Sequence, residues 1–384
     1  MSKVEELLAK YNSNGISTIK LADILDYEQP SKYIVSSSDY DDNYDIPVLT
    51  AGQSFILGYT DEKDGVYKAS KNNPTIIFDD FTTGHHWVDF DFKIKSSAMK
   101  MLRLKNNKSL LRYIFHSMAL INYVPTEHSR QWISKYSQFE IPIPHIKVQE
   151  EIVKILDSFT NLIDALNEEL SLRQKQFEYY REKLLTFDDN HDSISSVTMD
   201  DLFNFKNGYT PSTKNSEYWT NGEVNWFTVA DFKKNNNVLY DSIKKVSISA
   251  VKGGKLFKPN SILLATTATI GIHALIRTEH LSNQQLTNLS LKKEYVDKID
   301  IKYIYYYMFL IDEWCKKNYH GGGFMIVDMV GLKKQQIPIP SLSIQQSIVE
   351  KLDAFESLIS SLKEEIALRQ KQYEYYREKL LTFD

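Results

Sequence analysis

The chain has 384 residues, 42% of them hydrophobic, with a net charge of −4 and one cysteine, which is enough for two or three units with cores of their own. One cysteine excludes an internal disulfide framework, the opening MSKVEELLAKYNSNG lacks the apolar core of a signal peptide, and no run reaches the roughly 18 apolar residues of a membrane span, so a cytoplasmic protein is expected. The charge argues against a stand-alone nucleic-acid binder, which is usually basic; only residues 189–336 lean basic, by +3, so any further phosphate neutralisation has to come from partners.

In chain order, Val4 to Tyr11 (VEELLAKY) reads as a short helix that resembles the REKLLTFD closing a later repeat. Ile19 to Tyr27 (IKLADILDY) opens a first segment, in which PTIIFDDF (Pro74 to Phe81) and VDFDFKI (Val88 to Ile94) are patterned as strands and SLLRYIFHSMALINY (Ser109 to Tyr123) as a helix. IPIP at Ile141 to Pro144 then leads into a stretch without proline or glycine through Asp188. Its apolar residues Val148, Ile152, Ile155, Phe159, Leu162 and Leu166 step alternately by four and three, as in a coiled-coil seam. A second step of four to Leu170 is a stutter, and the seam resumes through Phe177, Tyr180, Leu184 and Phe187. Val197 to Phe205 (VTMDDLFNF) resembles IKLADILDY and opens a second segment, with strands at EVNWFTV (Glu223 to Val229) and SILLATTATIGIHALI (Ser261 to Ile276) and a helix at Val296 to Lys317. IPIP returns at Ile337 to Pro340.

From each IPIP the two copies align over 48 residues without a gap, with 31 identities, and from Leu172 to Asp188 against Leu368 to Asp384 only Phe177 and Tyr373 differ. The second seam runs through Ile344, Ile348, Phe355, Leu358, Leu362, Ile366, Tyr373, Tyr376, Leu380 and Phe383. A helix of this length, about 60 Å, needs a partner for its stripe, and the obvious one is the other copy. The expected fold is α+β: two similar domains, residues 1–144 and 189–340, joined by two long antiparallel coiled-coil helices, residues 145–188 and 341–384, with pseudo-two-fold symmetry. This nearly cyclic order predicts that the first helix lies beside the end of the last.

Polar, turn-rich stretches supply candidate contacts. DFTTGHHWVDF (Asp80 to Phe90) offers Thr82, Thr83, His85 and His86. Adjacent histidines face opposite ways on a strand, which suits hydrogen bonding better than a metal. HSRQW (His128 to Trp132) offers Ser129 and Arg130, whose guanidinium can fork onto guanine or sit on a phosphate. NGYTPSTKNSEYW (Asn207 to Trp219) offers Asn207, Tyr209, Thr210 and Lys214. HGGGF (His320 to Phe324) follows Lys316 and Lys317. It is either a plain turn or a place where backbone N–H groups approach phosphate or base edges, since glycine removes the blocking side chain; His320, Gly321 and Gly322 are its candidates. On the repeats, Arg173, Lys175 and Arg181 and their counterparts Arg369, Lys371 and Arg377 lie off the seam. The same charges twice point either to one partner bound twice or to recent duplication.

Catalytic signatures are missing: no phosphate-binding GxxxxGK[ST], no GxGxxG, no HExxH and no cysteine pair for zinc, and no Asn-Pro-Pro or Asp-Pro-Pro. Asp61, Glu62 and Lys63 are adjacent in a turn and do not converge as nuclease acids must. HGGGF lacks the GxSxG nucleophile turn that a hydrolase reading needs, and Cys315 reads as a packed helix residue.

With this organisation the whole chain resembles the DNA-specificity (S) subunits of type I restriction-modification enzymes. The resemblance is carried by the alternation of domain and repeated helix, by IPIP at the close of each domain, and by Phe205 to Phe232, Ser282 to Leu289, Pro47 to Glu62 and Ile76 to Leu102. It implies that this chain has no catalytic activity, metal or cofactor of its own. Each domain would read one half of a split target in double-stranded DNA, while the helices set the spacing and dock two methyltransferase (M) subunits. Restriction (R) subunits would join through the complex, with S-adenosylmethionine, ATP and magnesium on those partners. The residues alone leave two other readings open, a coiled-coil adaptor with protein-binding heads and an enzyme in its own right.

Overall fold

A computed structural model describes residues 2–50, 55–187, 194–233 and 237–383. Ala51 to Ser54 of the Pro47–Glu62 motif, Asp188 and Asp384 at the ends of the repeats, and the domain start at residue 189 lie outside the described residues. The chain divides into two compact units, residues 1–168 with 363–384, and residues 169–362.

Unit 1 runs α1 (Lys3–Tyr11), β1 (Ser17–Lys20), α2 (Leu21–Ile24), β2 (Leu25–Glu28), β3 (Ile46–Leu49), β4 (Ile56–Thr60), β5 (Thr75–Asp79), β6 (His85–Val88), β7 (Lys93–Ile94), β8 (Met99–Leu104), α3 (Leu111–Met118), β9 (Glu140–Ile143) and the first part of α4 (Ile146–Leu185). A Ser2–Glu5 capping box starts α1, satisfying amides that would otherwise be orphaned. The main sheet has the order β2-β8-β5-β6, a smaller sheet has β4-β3-β7, and β1 pairs with β9. Tyr113 and Ile114 of α3 close the core over Ile76, Phe78 and Leu102, with Val148, Ile152 and Leu156 of α4 behind them.

Unit 2 repeats this plan with β10 (Ser195–Thr198), α5 (Met199–Leu202), β11 (Phe203–Asn207), β12 (Val224–Phe227), β13 (Val238–Leu239), β14 (Lys244–Val246), β15 (Ser261–Thr267), β16 (Thr269–Ile276), β17 (His280–Ser282), β18 (Leu286–Leu291), α6 (Ile301–Lys317), β19 (Tyr319–His320), β20 (Ile326–Val327), α7 (Met329–Lys333), β21 (Gln336–Ile339) and α8 (Leu342–Leu381). The order β11-β18-β15-β16 matches β2-β8-β5-β6, and β14-β12-β17 matches β4-β3-β7. In each smaller sheet the last pair is parallel. The registers of the IPIP pairs also agree, Ser17 opposite Ile143 and Ser195 opposite Ile339. Unit 2 adds β13 beside β16 and the β19–β20 hairpin beside β15.

IPIP is a docking strip for the helix that precedes it and for the long helix that follows. The hydroxyls of Tyr113 and Tyr303 donate to the Pro142 and Pro338 carbonyls at 2.9 and 2.8 Å. The buried amides of Gln149 and Gln345 donate to the Pro144 and Pro340 carbonyls, both at 2.8 Å.

Within each unit the long helices pack antiparallel, and they use one aromatic pair twice. Phe159 stacks on Tyr376 at 5.3 Å in unit 1, and their counterparts Phe355 and Tyr180 stack at 5.5 Å in unit 2. Three details depart from the sequence expectation. Val88 to Ile94 is not one strand, because Val88 ends β6 in the main sheet and Lys93–Ile94 form β7 in the smaller one. Ser261 to Ile276 folds into a hairpin at Ala268, which adopts φ +65°. Leu162, Ile344, Leu358 and Tyr376 of the expected seam are 40%, 44%, 39% and 39% exposed; on α4 the buried stripe begins at Val148, Ile152 and Leu156 and faces its own domain. The cyclic order holds: α1 and the end of α8 share a core through Val4 and Leu381, beside a cavity of about 630 Å³ lined by Ser2, Leu8, Leu380 and Phe383.

Candidate nucleic-acid interface

In unit 1 the β5–β6 turn is held by two aspartates. Asp79 accepts from the Phe81 amide and from the Thr82 hydroxyl, both at 2.8 Å, and Thr83 takes φ +61° to close the turn. Asp80 is buried against Lys100 with an Oδ2–Nζ separation of 2.9 Å; its angle falls outside hydrogen-bond geometry, so the contact is ionic. The other carboxylate oxygen accepts from the Trp132 amide at 2.7 Å, and the Asp80 carbonyl accepts from the Gln131 amide at 2.8 Å. Phe81 stacks on His128 at 4.5 Å. Asp80, fixed by its buried ion pair with Lys100 of β8, therefore ties the 80–86 turn to the 128–132 loop at one end of the main sheet.

Of the unit 1 candidates, Thr82 and Arg130 are exposed there, and among the described residues no ion pair engages the Arg130 guanidinium. Ser129 is half-buried, with the Gln131 side chain donating to its carbonyl at 2.6 Å. Thr83 is buried and its hydroxyl donates to the Thr82 carbonyl, so it shapes the turn and is not presented to a ligand. The two histidines do face opposite ways. His86 is exposed and stacks on Phe55 at 4.2 Å. His85 is half-buried and packs against Phe115, and burial lowers its pKa to about 4.

Unit 2 builds the same end of its sheet with other residues. Asn207 accepts from the Thr287 hydroxyl, which meets that of Thr266, both at 2.9 Å. Gly208 is required: a Cβ there would lie 2.2 Å from the Asn283 carbonyl oxygen. Thr210 donates to Gln284 at 2.5 Å, and Lys214 is exposed. Tyr209 is half-buried; its hydroxyl donates to the Ala250 carbonyl and accepts from the Lys252 amide at 2.8 Å. HGGGF is the tip of the β19–β20 hairpin, pinned to the sheet where Ala268 donates to the Met325 carbonyl at 2.8 Å. Gly321 is there for the turn, at φ +98°, whereas Gly322 has no atom within 4 Å of a would-be Cβ and leaves its backbone open. His320, Gly321 and Gly322 are exposed, as is Lys317. Lys316 is exposed too and pairs with Glu313 at 2.5 Å on the surface.

The repeat cations divide. Lys175 and Lys371 are exposed. Arg173 and Arg369 are tied to Glu169 and Glu365 one turn earlier. Arg181 and Arg377 do not face outward: Arg181 lies 4.3 Å from the Phe309 ring centroid and Arg377 5.2 Å from that of Tyr373. A guanidinium can cover an aromatic face while its stem packs, so an off-seam arginine need not be solvated.

Two features escaped the sequence reading. One is the Lys252–Lys255 loop, held on Tyr209 with the Lys252 ammonium 4.6 Å from its ring and with Gly253 and Gly254 at φ +63° and +64°; its signal was the KGGK run inside the only basic segment. The other is a repeated apolar face. Leu368 and Tyr375 are 57% and 59% exposed, and their counterparts Leu172 and Tyr179 are 59% and 57% exposed. Identical apolar residues off the seam were its signal. Among the described residues no cluster of three or more His, Cys, Asp or Glu is placed to hold a metal, and no helix is long and apolar enough to cross a membrane.

Duplicated α+β units, each presenting loops at one sheet end and sharing two repeat helices, define a bipartite recognition scaffold. The family model described as the type I restriction modification DNA specificity domain matches residues 14–172 and again 192–368. The chain is 41% identical to the EcoR124I/EcoR124II type I restriction enzyme specificity subunit of Escherichia coli, over all of this chain and 97% of that one. It is 46% identical to the EcoprrI specificity subunit of E. coli over half of each chain. In fold it is similar to the crystal structure of a type I restriction-modification system S subunit from M. genitalium, with a TM-score of 0.58 over 96% of this chain and 97% of that chain at 15% identity. The chain belongs to the DNA-specificity subunits of type I restriction-modification enzymes, the component that recognises DNA sequence and not a catalytic one.

Proposed function

We propose that each unit reads one half of a split, asymmetric DNA target. Unit 1 would use Thr82, Ser129 and Arg130, and unit 2 would use Asn207, Thr210, Lys214, Lys317 and the His320–Gly322 tip. The observation that carries this is that one sheet framework, β2-β8-β5-β6 and β11-β18-β15-β16, ends in unlike loops in the two units. Matched frameworks with unmatched loops suit two different half-sites read in one manner. Lys252 and Lys255 supply phosphate contacts, which position without specifying.

On this reading the repeat helices set the spacer. Their repeated outer faces, Leu172, Lys175 and Tyr179 in one copy and Leu368, Lys371 and Tyr375 in the other, dock two methyltransferase subunits. Restriction subunits join through the complex, which works in the cytoplasm. S-adenosylmethionine, ATP and magnesium are bound by those partners. The net charge of −4 fits a chain whose partners share the phosphate neutralisation. Selection of bound sites from random DNA by the reconstituted complex tests the reading. A motif of two unlike blocks around a fixed gap is expected, and no enriched motif would favour a protein-binding adaptor.

A further inference from the structure

Each unit has a buried polar junction where its recognition fold meets the end of a long helix, and the two junctions are wired differently. In unit 1, His116 of α3 stands between the helices. Its Nδ1 is 3.0 Å from the Tyr373 hydroxyl of α8, and its Nε2 is 2.9 Å from Asp157 Oδ1 of α4. Arg112 donates to the same Oδ1 at 2.7 Å. Burial, the largest influence, holds the imidazole below its ordinary pKa, so the ring is neutral. A carboxylate only accepts, so Nε2–H donates to Asp157 and Nδ1 accepts from Tyr373.

Tyr113 and Tyr303 meet equivalent IPIP carbonyls, which fixes the correspondence between α3 and α6. In that register Lys302 stands for Arg112, Tyr306 for His116, and Asp353 for Asp157. Phe177 stands for Tyr373. Tyr306 donates to Asp353 Oδ1 and Lys302 pairs with Oδ2, both at 2.5 Å. Phe177 offers the Tyr306 ring only an aromatic neighbour, with centroids 6.5 Å apart. A tyrosine at 306 reaches the carboxylate by itself, so the helix end needs no hydroxyl. A histidine at 116 has a second nitrogen to satisfy, so the helix end supplies one.

We propose that the single difference between the closing stretches of the two repeats is a matching element. Tyr373 fits the end of α8 to a recognition fold bearing histidine, and Phe177 fits the end of α4 to one bearing tyrosine. The pair 116/373 and the pair 306/177 thus select which recognition fold a given helix end accepts.

The test is a rescue series on the full chain, followed by thermal unfolding and by hydrogen exchange of residues 111–118. Y373F leaves a buried ring nitrogen without a donor and is expected to speed exchange of those amides about tenfold. H116Y alone drives a longer side chain into the 3.0 Å space below the Tyr373 hydroxyl and is expected to lower the midpoint as well. The double variant H116Y/Y373F recreates the tyrosine–phenylalanine pair of unit 2 beside an unchanged Arg112, and most of both losses should be recovered. In unit 2, F177Y crowds a hydroxyl into a junction where the Tyr306 hydroxyl is already committed to Asp353, and should speed exchange of residues 301–317. Adding Y306H to it should reverse that loss. Losses in the double variants that equal the sum of the singles, or a Y373F chain that exchanges like the parent, would overturn the proposal.

Discussion

Asp80 and Lys100 are both fully buried 2.9 Å apart, and from that pair two surface loops of unit 1 take their places. Removing one partner of a buried ion pair leaves an uncompensated charge, at a cost of about 3–5 kcal/mol. K100M should therefore lower the stability of unit 1 sharply, and D80N/K100M should recover part of it; equal denaturation midpoints for the two would show that the pair is not coupled. His280 makes a second residue-scale prediction. It is fully buried, its Nδ1–H donates to the Thr278 carbonyl at 2.9 Å, and Asn288 donates to its Nε2 at 3.3 Å. Protonation would set two donors face to face, and burial pushes the pKa down to about 4. The unfolded chain takes up this proton near pH 6.5 and the folded chain only near 4, so the stability is whole above 6.5 and is lost as pH falls toward 4. The loss is on the order of 3 kcal/mol, with His85 and His116 acting in the same direction. Denaturant unfolding at pH 7.5 and 4.5 measures it, and H280Q should reduce the difference by the His280 share.

At the scale of elements, the repeat helices were legible because seam spacing is a local property. So was the matched position of HSRQW and HGGGF, each between a helix and the following IPIP. What spacing could not show is that one helix serves two partners. The first part of α4 turns Val148, Ile152 and Leu156 to its own domain, which leaves Leu162 exposed where a plain seam would bury it. Arg181 and Arg377 were misplaced for the same reason: the rings they cover belong to a surface that forms only on folding. The turn chemistry at Asp79–Thr83 was hidden because its anchor, Trp132, lies 52 positions away. The exposed Leu368 and Tyr375 carry an element-scale prediction. The L368A/Y375A chain should keep its melting midpoint within about 0.5 kcal/mol equivalent and lose capture of the methyltransferase subunit in a pull-down; unchanged capture would move the docking face elsewhere.

At the scale of the whole molecule, the chain carries two copies of one framework and invests its differences in loops. On the proposed function, each unit reads one half-site. Mapping methylated bases in DNA from a host expressing this chain with its partner subunits tests the claim most directly, with the parent, R130A and H320A chains compared. The parent should mark one motif made of two unlike blocks around a fixed gap. R130A should relax or change one block only, H320A the other only, and the gap should stay constant in all three. An unsplit motif, or a single substitution that alters both blocks, would contradict the assignment of one half-site to each unit.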